Sequence, residues 1–429
     1  MVDERIDTVV VGGGQAGIAM SEHLGAAGVP HVVLERHRIA ERWRSERWDS
    51  LVANGPAWHD RFPGLAYPET GPDGFPGKDE VAEYFEAYAR KINAPVRCGV
   101  TVHEVTNDLR CGGYLVSTSH GVISARCVVA ATGPFQKPLV PEIIPDKAPV
   151  MQLHSSRYHN PDALPAGAVL VVGAGSSGVQ IAQELMQAGR KVFLSIGAHD
   201  RPPRRYRGRD FVWWLGVLGK WGAERAAEGS EHVTIAVSGA YGGQTVDFRD
   251  LAAAGITLLG QTDSYADGVV RVRDTLAADI AQGDASYLAV LKEADAYATA
   301  NGLDLPEEPE AWRIGPTPTC VSNPVRDVDL PAEGITTVIW ATGFTQDFGW
   351  LRPAPMDVEG RPLHSRGASP TSGIYFIGLP WLINRGSSFI WGVWHDAKHI
   401  ADQVVRERRY ALYVPERPDH DTAVTAVEA

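Results

Sequence analysis

Two stretches that each read apolar strand, glycine-rich turn, helix and second strand predict an α/β fold with two nucleotide-type domains. In the first, Ile6 to Val11 is an apolar β-type run that enters Gly12-Gly13-Gly14-Gln15-Ala16-Gly17; a helical stretch, Ile18 to Ala27, and a strand, His31 to Leu34, follow. In the second, Ala168 to Val172 leads into Gly173-Ala174-Gly175-Ser176-Ser177-Gly178, then Val179 to Ala188 and Lys191 to Ile196. The third observation is their shared spacing, since 16 residues separate the first glycine from the glycine that ends the helix in both copies, Gly12 to Gly28 and Gly173 to Gly189.

The glycines have separate tasks. The first permits the tight turn, the second lets the backbone approach a pyrophosphate, and the third lets helix pack on strand. Two such units in the same context therefore read as two Rossmann-like dinucleotide sites. Glu35 ends the second strand of the first unit, 18 residues past Gly17, where a carboxylate accepts ribose hydroxyls and repels a 2′-phosphate. The first site thus suits FAD or NAD. The second unit has Ser195 or Ile196 at that place, followed by Arg201, Arg204 and Arg205, and guanidinium groups suit the extra phosphate of NADPH.

Ala131-Thr132-Gly133 and Ala341-Thr342-Gly343, each after an apolar strand (Cys127 to Ala130, Thr337 to Trp340), bracket the second unit. The NADPH-type domain, 165–341, accordingly reads as an insertion into a discontinuous FAD-type domain made of 1–164 and 342–429. Pro134 to Pro165 is a proline-rich linker, Val272 to Asn301 one or two amphipathic helices, and Ile390, Val393, Ala397, Ile400 and Val404 one face of a last helix.

Composition removes several alternatives. Of 429 residues, 40 are basic and 52 acidic, a formal charge of −12 that lacks the cationic field nucleic acid needs. No apolar run approaches the ~18 residues of a membrane helix, and no signal core precedes the first strand, so the cytoplasm is the expected compartment. Cys98, Cys111, Cys127 and Cys320 form no CxxC pair and read as reduced, mostly buried thiols. His395 and His399 lie four apart without a third ligand, and no metal is expected. A GxSxG elbow and a complete phosphate-binding P-loop are absent.

Through these motifs the chain resembles the class B flavin-dependent monooxygenases, which include flavin-containing, N-hydroxylating, Baeyer–Villiger and YUCCA-type enzymes. The likeness rests on both glycine motifs, both ATG segments, Leu153 to Tyr158 before the second motif, and the segments Glu41 to Arg44 and Arg47 to Leu51. It implies FAD in the first site, with Arg36, Trp43 and Trp48 among its contacts, and NADPH in the second. It further implies that NADPH reduces FAD, that oxygen adds at flavin C4a, and that the resulting hydroperoxide passes one oxygen atom to a small organic substrate. By the same likeness Asn54 hydrogen-bonds the peroxyflavin region. Ser387 and Ser388 are expected to begin the last helix and direct its N-terminus at the reduced flavin.

His154 reads either as a group beside the nicotinamide path or as a fixer of domain orientation, and Phe211 to Trp221 as a pocket wall or as core. The family fingerprint before the second motif keeps His154 and Tyr158 but has Ala148 and Val150 in place of Phe and Gly, which favours N- or S-oxygenation over Baeyer–Villiger chemistry. Leu379, within Gly373 to Trp381, stands where related flavoproteins often carry Asp. An NADPH oxidase or flavin reductase, and a non-catalytic flavin-binding regulatory module, are the rival readings. A homodimer fits the class.

Overall fold

The computed structural model describes residues 2–110, 112–224 and 235–413. Cys111 lies outside them.

The fold is α/β, with two sheets of Rossmann type. In the first sheet Glu4–Val11 runs parallel to His31–Glu35 on one side and Gly121–Ala130 on the other, with Val9 opposite both Val32 and Val128. Val96–Cys98 extends it beyond His31–Glu35. Gly121–Ala130 changes partner along its length: Gly121 to Ala125 pair antiparallel with Tyr114–Thr118, while Val128 to Ala130 pair parallel with Ile374–Phe376. Val102–Asn107 completes seven strands.

The second sheet has five parallel strands in the order Thr257–Leu259, Val192–Ser195, Ala168–Val172, Ile335–Trp340 and Met151–His154. All five lie in sequence between Gly121–Ala130 and Ile374–Phe376. This sheet begins earlier than the expected boundary at 165, because Met151–His154, inside the expected linker, forms its edge with His154 opposite Trp340. The prolines punctuate the chain on either side of that strand and leave its own four amides free to pair.

Both glycine-turn helices start inside their motifs, at Gln15 and Ser176, rather than at the expected Ile18 and Val179. The third glycine of each motif thus sits in the first helical turn, where a Cβ on Gly17 or Gly178 would lie 1.9 or 2.0 Å from the carbonyl of Gly12 or Gly173. The 276–300 segment is one helix of 25 residues.

The last helix, Ile390–Ala411, packs on Gln15–Ala26. Ile390, Val393, Ala397, Ile400 and Val404 all enter a core with Ile18, Ala19 and Met20. Full burial of such aliphatic side chains contributes about 1.5–3 kcal/mol each, so this seam fixes the C-terminal helix against the first turn. Among the described residues no helix is long and apolar enough to cross a membrane. Cys127 is buried and Cys320 half-buried, but Cys98, expected to be covered, is exposed at the sheet's edge strand.

Candidate functional site: two dinucleotide turns and an aromatic wall

The first turn opens on a cavity of about 600 Å³. Its floor is the turn itself. Gly12 has φ +115°, and a side chain there would strike the carbonyl of Ala131 at 2.5 Å, so the first ATG segment presses directly on the first glycine. Gly14 is different: a Cβ there would meet nothing within 4 Å, and the open space beside it is the room a pyrophosphate needs.

Along the cavity lie Gln15, Ala16, Glu35, Arg36, Trp43 and Gly133. Ser388 and Gly378 line it beside the start of the helix, where Gln15 Nε2 donates to the Ser388 carbonyl at 2.8 Å. The Glu35 carboxylate accepts from the amides of Gly13 at 2.7 Å and His37 at 2.9 Å, which aims it across the turn.

Arg47, unassigned to the cofactor by sequence, also lines the cavity. Burial pushes its guanidinium down to about 10, and the group lies 4.8 Å over the Phe135 ring. A desolvated cation on the same cavity as the first turn suits an anionic ligand. Its signal lay in the Arg47 to Leu51 segment, and that of Gly378, also unassigned, in the segment from Gly373 to Trp381. Gly378 has φ +77° and faces Ala16, so it lets the strand end approach the first turn. The chain's own residues thus fit FAD.

The second turn repeats the backbone. Gly173 has φ +126°, and a side chain there would meet the Ala341 carbonyl at 2.4 Å. Its approach differs, however. The Ser176 amide and hydroxyl both donate to the Ile235 carbonyl at 3.1 Å, so residues 235–237 lie across the helix start. Gly175 caps this helix without a side-chain bond, and Ser177 sits in its first turn. Gly343, with φ +83°, accepts from His154 Nε2 at 2.9 Å. Thr342 Oγ1 donates to the Leu139 carbonyl.

Several expected contacts take other roles. Trp48 is buried in the core of the second sheet, away from the cavity, because its indole covers Leu51 and the strands around Val169. Ser387 and Ser388 precede the last helix, which starts at Ile390. Ser387 Oγ instead accepts from the amides of Ile383 and Asn384, both at 3.0 Å, and organises the approach loop.

Arg201 and Arg204 are both buried. Arg201 pairs with Asp284 at 2.7 Å and Asp247 at 3.3 Å and lies over Tyr287. Arg204 grips Asp210 through two nitrogens and donates to the Asn54 carbonyl at 2.6 Å. A guanidinium held by carboxylates in the interior is turned away from solvent, so of the three expected phosphate ligands only Arg205 keeps an exposed head.

Asn54 is exposed and joins the two halves: its Oδ1 accepts from Gln180 Nε2, on the second turn's helix, at 2.9 Å. His154 is buried, its Nδ1 accepts from the Ser156 amide at 3.1 Å, and burial lowers its pKa. With Nε2–H bound to Gly343, the ring ties linker to second turn, which is the orienting role. Phe211 to Trp221 takes the core reading, its residues divided between two clusters. Trp214 is core and donates to the Tyr206 carbonyl, whereas Trp221 joins Trp58 and Trp391 in an aromatic wall. Sequence reasoning missed His59, buried against that wall.

Known proteins align with this architecture. Residues 9–215 match the family model described as pyridine nucleotide-disulphide oxidoreductase. A CzcO-like oxidoreductase of Geobacillus kaustophilus, itself uncharacterized, is 33% identical over 406 residues, 93% of this chain and 98% of the relative. The indole-3-pyruvate monooxygenase YUCCA1 of Oryza sativa subsp. japonica is 37% identical over 196 residues, 44% of this chain and 47% of its own. The chain belongs to the class B flavin-dependent monooxygenase family. Among solved structures, the flavin-containing monooxygenase from Stenotrophomonas maltophilia shares the fold, with a TM-score of 0.65 at 20% identity, covering 94% of this chain and 99% of that one. The protein is an oxidoreductase, and FAD and NADPH are the two dinucleotides of its family.

Proposed function

We propose that the protein is an FAD-dependent, NADPH-consuming monooxygenase that transfers one atom of O2 to the nitrogen or sulfur of a small organic substrate. The observation that carries this reading is the cavity of about 600 Å³ above the Gly12 to Gly17 turn, with the Glu35 carboxylate held at its side, in a chain that repeats the same glycine backbone at Gly173 to Gly178. FAD supplies the electron transfer and oxygen activation when bound; the protein binds, orients and excludes water.

The division of labour follows the residues. Gly14 and the helix amides take the FAD pyrophosphate, Glu35 the adenosine ribose, and Ser388, seated by Gln15, the flavin end. Gly173 to Gly178 take the NADPH pyrophosphate, which requires the Ile235 carbonyl to yield the Ser176 amide. Asn54 donates a hydrogen bond to the reacting oxygen. The reading favours heteroatom oxygenation because Ala148 and Val150 replace the Phe and Gly of the Baeyer–Villiger fingerprint. The proposed setting is the cytoplasm and the proposed assembly a homodimer, which light scattering would measure.

The test is product mass after incubation of the yellow protein with NADPH, labelled oxygen gas and a panel of amines, sulfides and ketones. One labelled atom on an amine or sulfide is expected. Label only in water or hydrogen peroxide would replace this reading with an NADPH oxidase, and no NADPH consumption at all with a binding module. Asn54→Ala is expected to lower product per NADPH while flavin reduction proceeds at the parental rate; unchanged coupling would remove Asn54 from the chemistry.

A further inference from the structure

His59 and Asp60 form a buried pair that the reading above leaves without a task. Both are more than nine-tenths buried. His59 Nδ1 donates to Asp60 Oδ1 at 2.7 Å, and the tyrosine hydroxyl of Tyr67 holds the Asp60 carbonyl at 2.8 Å. The Asp60 carboxylate occupies the space a side chain on Gly55 would take, so the dyad is locked against the loop that carries Asn54. The other ring nitrogen, His59 Nε2, is buried with no hydrogen-bond partner. A buried polar atom left unpaired is costly, and in a native protein it calls for a partner or a task.

The surroundings set that ring beside the loop that leads into the last helix. The imidazole stacks on Trp221 and Trp391, with ring centroids 5.1 and 5.4 Å away and planes tilted by 22° and 27°, and Trp58 packs edge-on at 5.3 Å. Trp391 is in the first turn of the last helix, three residues from Ser388 on the cavity. The Trp221 carbonyl accepts from the Gly386 amide, in the same approach loop. The dyad therefore lies between the Asn54 loop and the segment that lines the dinucleotide cavity through Ser388.

We infer that His59, oriented by Asp60, is the base that takes a proton from an aliphatic amine substrate bound against Trp58, Trp221 and Trp391. The inference deepens the oxygenation reading and rests on it. An aliphatic amine arrives as an ammonium ion, whose nitrogen has no lone pair to receive oxygen. Indole faces and a carboxylate suit that charge. Donation of Nδ1–H to Asp60 leaves Nε2 as the proton acceptor, and Asp60 stabilises the imidazolium that forms.

In the step, the N–H bond of the ammonium breaks, Nε2–H forms, and the nitrogen keeps the electron pair. One oxygen atom then bonds to that pair. The lifted proton is the one the reaction consumes, so the sum is ammonium plus NADPH plus O2 giving N-oxide, NADP+ and water. A sulfide carries no such proton and has no use for the dyad.

The experiment compares two matched probes, N,N-dimethylbenzylamine and benzyl methyl sulfide, in the FAD-loaded parent, H59Q and D60N. The amine-to-sulfide product ratio is expected to fall about a hundredfold in H59Q, the lower end for loss of a general base, and less in D60N. Equal loss of both products, or no change in the ratio, overturns the inference, as does a parent that oxygenates the sulfide alone. A parent that forms neither product overturns the oxygenation reading itself, a result distinct from an unselective H59Q.

A second measurement needs no turnover and survives poor folding of H59Q. Nitrogen-15 NMR of the resting, FAD-loaded parent should show His59 as the Nδ1–H tautomer, with the Nε2 signal moved by added N,N-dimethylbenzylamine. An Nε2–H tautomer, or an Nε2 signal indifferent to the amine, overturns it.

Discussion

The two glycine turns are nearly the same object in backbone and different objects in access. In each, the first glycine has φ above +110°, an alanine carbonyl from an ATG segment presses on it, and the third glycine touches the first. The first turn then opens on a cavity, while the second has the Ile235 carbonyl on its leading amide. The difference teaches that a glycine motif specifies a turn able to receive a pyrophosphate, whereas neighbouring chain decides how the ligand reaches it. A cofactor held throughout turnover and one that comes and goes call for that distinction.

The largest expected effect comes from filling each turn separately. Gly14 lies at φ −86°, which valine adopts, and nothing stands within 4 Å of its missing Cβ. Gly14→Val is expected to fold and to emerge colourless, with flavin content by absorbance below about one hundredth of the parent, since the methyl groups occupy the phosphate's place. Gly175→Val, at φ −73°, is expected to stay yellow yet fail to be reduced by NADPH. A yellow Gly14→Val would detach the cavity from the flavin. A colourless but folded Gly175→Val would make the two turns one cooperative site.

Arg204 comes next, because it joins the halves rather than serving either. Removing it strands the Asp210 carboxylate, which also caps the helix Phe211–Val217 through the Val212 amide, and frees the Asn54 carbonyl. Breaking a buried pair from one side costs about 3–5 kcal/mol. Arg204→Ala is expected to shift the urea midpoint strongly downward and to raise the Michaelis constants of NADPH and NADH together. A stable variant with loss confined to NADPH would return Arg204 to the phosphate.

A smaller effect separates the support of the first turn from that of the second. Asp396, buried beneath the approach loop, is pushed up to about 6, first by desolvation and against the opposing bond from Ser387. Its folded pKa exceeds its unfolded one, so the folded state binds the extra proton and stability falls as pH rises between about 4 and 6. Two pKa units correspond to on the order of 3 kcal/mol. Asp396→Asn is expected to flatten that segment of the stability curve, measured by urea titration at stepped pH, and to leave NADPH affinity alone. An unchanged curve would mean that Asp396 is solvated in the native protein.

Sequence made the backbone of both turns legible because local geometry alone demands glycine there, and the helix–helix seam was legible in the spacing of Ile390, Val393, Ala397, Ile400 and Val404. What escaped was partner choice. Spacing places Arg201 and Arg204 after the right strand, but Asp284 and Asp210 claim them, one from 83 residues away and one from six. Trp48 has the same difficulty, as nothing local says which sheet's core its indole enters. His59 escaped because its signal is a juxtaposition with Trp221 and Trp391, which only the fold assembles.

Arg205 provides the finest division between the turns. Unlike its neighbour it is exposed, on the short strand Arg205–Tyr206 after the second unit, and no carboxylate there is needed to hold it in the core. A charge-assisted bond of ~1.5–3 kcal/mol is reduced by solvent at such a site, which leaves about 1.4 kcal/mol, or tenfold. Arg205→Ala is therefore expected to raise the Michaelis constant for NADPH about tenfold, leave that for NADH unchanged, and preserve flavin content and urea midpoint. Because NADH lacks only the 2′-phosphate, the difference between the two cofactors reads the contact directly. Combined with Arg204→Ala, the selective part should appear only with the Arg205 change. Equal loss for both cofactors would assign Arg205 to the shape of the loop, and an unchanged NADPH constant would move phosphate recognition elsewhere on the second domain.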